Sequence, residues 1–125
     1  MIGGPSEACR SVCEALGRGS GAKMHQNLIV HEKAMKPFEE TWRRLHTRKV
    51  HSGPKVRLYA NAVNGAYTPD SETVADMLTR QAVDTVDFPK TVLQAWQDGV
   101  RTFVELGPRD TLTQSLPHIL KDKPF

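Results

Sequence analysis

His31 is the residue best placed to move a proton. It closes the apolar run "NLIV" and stands directly ahead of "EKAMKPFEETW", where apolar residues recur at helical spacing. A histidine at such a junction can act as general base toward a hydroxyl or thiol, provided a third group fixes its tautomer. Taken without context, the same residue reads more readily as a polar side chain at a turn. The serines are Ser6, Ser11, Ser20, Ser52, Ser71 and Ser115, and none lies in a G-x-S-x-G elbow. The nearest approach is "GPSEA", where Ala8 stands in the second glycine's place, and Ser6 reads better as a helix N-cap. Cys9 and Cys13 share a helical stripe with Val12 and Leu16. That is the pattern of buried thiols rather than of zinc, which takes about four ligands. His25, His46, His51 and His118 show no metal-ligand spacing and read as solvated.

The elements that must position His31 follow from periodicity. Ser6 and Glu7 open a helix that closes between Gly17 and Gly21, and "AKMHQNLIV" is extended from Ala22 to Val30. Met35, Phe38, Trp42 and Leu45 predict a helix, with Glu39 to Arg43 and Glu40 to Arg44 as i, i+4 pairs on its other side. "VRLYANAV" alternates like a strand and ends at the Asn64-Gly65 turn. Pro69 and Asp70 open a helix with Val74, Met77, Leu78 and Gln81 at helical spacing. Another starts near Pro89, turns Val92, Leu93 and Trp96 inward and stops at Gly99. "RTFVELGP" predicts a short buried strand, and a last helix begins near Asp110.

At 125 residues and 38% hydrophobic content the chain suits one core. Alternating helices and strands argue for an α/β or α+β class. No apolar run approaches the ~18 residues of a membrane span, and "MIGGPSEACR" lacks the pattern of a secretory signal, so a cytoplasmic address and no membrane partner are expected. Net charge is +3, from 17 basic and 14 acidic residues. This mild excess suits an acidic partner. The basic run "WRRLHTRKVHSGPK" carries Arg43, Arg44, Arg48, Lys49 and Lys55 but lacks the interleaved aromatics of base stacking, so no nucleic acid is expected.

Three separated motifs resemble one family. "VHEKAMKP" resembles the histidine motif of malonyl-CoA:acyl carrier protein transacylases and of acyltransferase domains in polyketide and fatty-acid synthases. "LTRQAVDTVDF" resembles that family's Arg-Gln helix end, and "FVELGPRDTLT" its E-L/V-G-P segment. With "IGGPSEA" and "LYANAVNG" in order, the resemblance runs over nearly the whole chain. The "ELGPRDTL" form resembles synthases of the polyunsaturated fatty-acid type.

The resemblance implies an α/β fold that is part of an acyltransferase domain. Residues 1–30 would be the latter part of a ferredoxin-like insert, and residues 31–125 the C-terminal part of an α/β-hydrolase-like large subdomain. It implies ping-pong transfer of malonyl or a related acyl group, with a coenzyme A thioester as substrate and phosphopantetheine on the acyl carrier protein as acceptor. No bound cofactor is implied. His31 carries over as general base, and the backbone carbonyl of Gln81 as the group that orients it. Read from the residues alone, Gln81 is equally a polar helix end.

Several features depart from the family. The serine elbow and the carboxylate-binding arginine have no counterpart, so the chain alone is expected to be inactive unless another polypeptide supplies the serine half. The residues that help shape acyl selectivity are Leu28, Ile29 and Val30, which match neither the H-A-F-H nor the Y-A-S-H form and leave the extender unit open. Arg109 replaces a common glycine. The competing reading is a non-catalytic module that docks the acyl carrier protein. With strands missing, "VRLYANAV" and "RTFVELGP" would expose edges prone to aggregation.

Overall fold

The computed structural model describes residues 4–17, 30–51 and 55–125. Apart from Val30, the extended segment expected from Ala22 to Val30 lies outside them, as do Leu28 and Ile29. The first helix, α1 (Ser6–Leu16), starts one residue earlier than a Ser6 cap requires. Pro5 holds the N-cap position, its carbonyl accepts from the Cys9 N–H at 3.1 Å, and no side chain caps the helix. α1 buries none of its residues: Val12 is 44% and Leu16 61% exposed, Cys9 is half-buried and Cys13 exposed. The thiols are therefore not core groups, because an apolar stripe is buried only where another element covers it.

The helix expected around Met35 to Leu45 has two parts. Glu32 caps the Ala34 N–H at 2.6 Å and opens a 3₁₀ segment, Lys33–Phe38, which continues into α2 (Glu39–His46). Pro37 supplies no backbone donor, so the tighter 3₁₀ turn forms around it. Arg43 does not pair with Glu39. Its guanidinium reaches Glu72 at 2.5 Å and Asp76 at 2.7 Å, both on α3 (Ser71–Val83). Two carboxylates one helical turn apart make a better site for the planar fork than one on its own helix. His46 is not simply solvated: its ring stacks on Trp42 at 5.0 Å and its Nδ1 bonds the Trp42 carbonyl at 2.8 Å.

The described sheet is one antiparallel hairpin, β1 (Leu58–Ala60) and β2 (Gly65–Tyr67), with Tyr59 opposite Ala66. Asn64 at φ 51° takes the left-handed conformation that the turn requires. Residues 56 and 57 stay outside the pairing, and Val56 is 70% exposed. The Tyr59 hydroxyl donates to Asp98 at 2.6 Å, which ties the hairpin to the end of α4 (Phe88–Gln97).

α3 begins at Asp70, whose carboxylate accepts from the backbone of Glu72 and Thr73 at 2.9 Å and from the Thr73 hydroxyl at 2.6 Å. Its buried residues are Ala75, Thr79, Ala82 and Val83. That stripe is turned by about one residue from the expected Val74, Met77, Leu78 and Gln81, since small side chains let α2 pack against α3. Asp87 caps α4 at Lys90, and Gly99 at φ 101° ends it. Val92 joins Leu116 and Leu120 in the core, against Phe88, Leu93, Trp96, Phe103 and Ile119.

Residues 101–106 form no strand. Val104 is 78% and Leu106 94% exposed, because no described strand lies alongside to pair with them. Glu105 turns inward instead and accepts from the backbone of Leu112 and Thr113. The C-terminal helix expected near Asp110 is a 3₁₀ turn, Thr113–Ser115, followed by a short α5 (Leu116–Ile119). Among the described residues no helix is long and apolar enough to cross a membrane.

Candidate functional site

Helix α3 ends in carbonyls with no partner inside the helix, as every α-helix does. Two of them are filled from a segment fifty residues away in sequence. His31 Nδ1 lies 2.5 Å from the Gln81 carbonyl oxygen, and the His31 N–H donates to the Ala82 carbonyl at 2.8 Å. His31 thus closes the end of α3 with both its ring and its backbone.

A carbonyl oxygen only accepts, so the ring nitrogen facing Gln81 carries the proton. In the neutral ring the lone pair then sits on Nε2, which has no hydrogen-bond partner among the described residues. The ring is half-buried. One ring nitrogen is thus held at the helix end, and no described residue bonds the other.

Holding the ring there requires an unusual backbone. His31 adopts φ 62°, a left-handed conformation costly for a residue with a Cβ. Such a conformation persists only when its surroundings enforce it, and it recurs at functional positions. Here the two carbonyl bonds behind His31 and the Glu32 cap ahead of it provide that enforcement.

Family resemblance pairs His31 with Gln81, and the fold brings these two together. The same resemblance points to Leu28, Ile29 and Val30; the first two lie outside the described residues, and Val30 is half-buried beside His31. Among the described residues no serine hydroxyl bonds to His31. Ser11 and Ser115 bond the carbonyls of Glu7 and Thr111, Ser71 accepts from Val50, and Ser6 is an exposed helical residue. No described group of three or more His, Cys, Asp or Glu is arranged to hold a metal ion.

Two features of the site were not read from the sequence. The Ala82 carbonyl is one, since a backbone acceptor leaves no side-chain signature. The other is Arg80, whose guanidinium donates to the Ala62 carbonyl in the hairpin turn at 2.9 Å. The neighbouring "RQ" was the available signal, and only the fold shows where that arginine reaches. Away from this junction, a shallow depression of about 270 Å³ lies between Phe88, Val92, Phe103, Leu106, Leu112 and Leu116, and His31 does not line it.

Compared with known proteins, the chain is 34% identical over 70 residues to a polyunsaturated fatty acid synthase subunit of Thraustochytrium sp.. That alignment takes in 56% of this chain and 2% of the length of that protein. The likeness relates the sequence to a component of a fatty acid synthase. No family model matches the chain, and no solved structure matches it.

Proposed function

We propose that the chain is the C-terminal part of an acyltransferase domain, which moves malonyl or a related acyl group from coenzyme A to an acyl carrier protein, with His31 as general base. The observation that carries this reading is the 2.5 Å contact between His31 Nδ1 and the Gln81 carbonyl, which leaves Nε2 without a partner among the described residues. Likeness to a component of a fatty acid synthase supports the same setting.

In this reading Nε2 takes the proton of a serine hydroxyl that is not among these 125 residues. The serine oxygen attacks the thioester carbonyl, and the proton passes to the departing coenzyme A sulfur. In the second half Nε2 takes the proton of the carrier's phosphopantetheine thiol, the thiolate attacks the acyl-serine ester, and the serine oxygen recovers the proton. The Gln81 carbonyl holds the tautomer that makes both transfers possible, the task a carboxylate performs in the commoner triad. Leu28, Ile29 and Val30 correspond in sequence to positions that help shape acyl selectivity in that family.

The test is transfer of radiolabelled malonyl-CoA to an acyl carrier protein by the chain alone, by the chain mixed with an upstream serine-bearing fragment, and by that mixture with His31→Ala. Transfer is expected only in the mixture, with a fall of about 10²- to 10⁴-fold on substitution, the range for a lost general base. A second reading, docking of an acidic carrier protein without catalysis, is favoured by Arg44, Arg48 and Lys49, which are exposed while Arg43 is engaged. Carrier binding without transfer in any mixture would decide for it.

A further inference from the structure

We propose that Arg80 is a positioning residue for His31: by tying the last turn of α3 to the hairpin turn, it holds the two carbonyls that fix the imidazole. The inference rests on the reading of His31 as a base, but its geometry and its test do not require acyl transfer.

The last turn of a helix is where it frays, because its carbonyls lack helical partners. Gln81 and Ala82 sit in that turn, and their carbonyls hold the His31 ring and amide. If the turn loosens, both bonds lengthen together, and the left-handed backbone at His31 loses what sustains it. On its buried side the turn is held by Ala82 and Val83, which are 4% and 0% exposed. On the open side, among the described residues, Arg80 ties the turn to an element outside α3, its Nη2 donating to the Ala62 carbonyl at 2.9 Å.

The anchor at the far end of that bond is itself fixed. Ala62 belongs to the turn between β1 and β2, and Asn64 in the same turn lies 3.4 Å from the Thr91 hydroxyl on α4. With its amide turned about, Asn64 also donates to the Asp87 carbonyl at 3.0 Å. Gly65 packs close to α4, where a Cβ would meet the Gln94 side chain at 3.9 Å. Arg80 therefore connects the base-holding end of α3 to a turn already fastened to the start of α4. Arg43 clamps α3 from its first half, through Glu72 and Asp76, and provides an internal comparison.

The experiment measures solvent exchange of the His31 ring Nδ1–H and the ring tautomer by nitrogen NMR on the full 125-residue chain. It compares Arg80→Met, Arg80→Lys and Arg43→Met, with melting temperatures taken alongside. Arg80→Met keeps the apolar stem and removes the donors. Exchange of the His31 ring proton is expected to rise about tenfold, equal to ~1.4 kcal/mol of lost protection at room temperature. Arg80→Lys, which retains a donor, is expected to fall between Met and the native chain, and Arg43→Met to lower the melting temperature without that rise. Unchanged exchange in Arg80→Met would overturn the proposal. So would an equal rise in Arg43→Met, which would mark general loosening. Should Arg80→Met fail to fold, native exchange in a folded Arg80→Lys overturns it and faster exchange supports it. Failed acyl transfer with the expected exchange pattern would count against the base reading and leave the positioning role standing.

Discussion

α1 and α3 are both amphipathic, with apolar residues returning every third or fourth position, yet α1 buries none of its residues and α3 buries four. The difference lies in what surrounds them. α3 is packed against α2, clamped by Arg43 and closed at its end by His31. A similar contrast separates α5 from residues 101–106. Both carry apolar side chains, but Leu120, just past α5, is 1% exposed while Leu106 is 94% exposed. Amphipathicity records a capacity to bury a face, and burial follows only where a second element arrives.

The contrast breaks if substitutions in the packed and bare regions cost the same. Leu120→Ala removes a side chain from the core it shares with Val92 and Leu116, and is expected to destabilise by about 2–5 kcal/mol in thermal or denaturant unfolding. Gly99→Ala puts a Cβ on a residue at φ 101°, where no neighbour crowds it, so the penalty is conformational alone. About 1 kcal/mol is expected, read from the shift in unfolding midpoint.

Acid sharpens the comparison, because Glu105 joins the bare segment to the packed one. The Thr113 backbone N–H, then its hydroxyl, hold the carboxyl below the usual glutamate range. A depressed carboxyl contributes stability above its unfolded pKa, and that contribution is lost as pH falls through its folded value. Melting temperature is therefore expected to decline on acidification below about pH 4.5, and Glu105→Gln to flatten part of that decline. Asp70 and Asp98, held low by the hydroxyls of Thr73 and Tyr59, add to the same slope. The smallest effect is expected for Leu106→Lys, within ~0.5 kcal/mol of the native chain, because the side chain is already in water. A larger loss would show that something covers residues 101–106 in solution.

Much of the local structure was legible because its causes are local. Asp70 at a helix entry, Asn64-Gly65 as a turn, Gly99 as a stop and the inward face of α4 each depend on residues a few positions apart. The strand expected at "RTFVELGP" failed for the opposite reason, since a strand exists only with a neighbour to bond. The cysteine stripe, the stripe on α3 and the pairing of Arg43 were misjudged on the same ground. Each depended on an element distant in sequence.

For the candidate site the division is sharper. By itself the sequence determined that His31 stands ahead of a helix, that "RQ" ends another helix, and that the nucleophile of a G-x-S-x-G elbow is lacking. The pairing of His31 with Gln81 came from resemblance to a family. Only the tertiary structure decided that the His31 ring and amide occupy two successive carbonyls of α3, at a left-handed backbone angle, with Arg80 fastening that turn to the hairpin. The physical reason is that backbone acceptors are the same at every residue. Side-chain identity tells which groups can donate, and the fold alone determines which carbonyl each one meets.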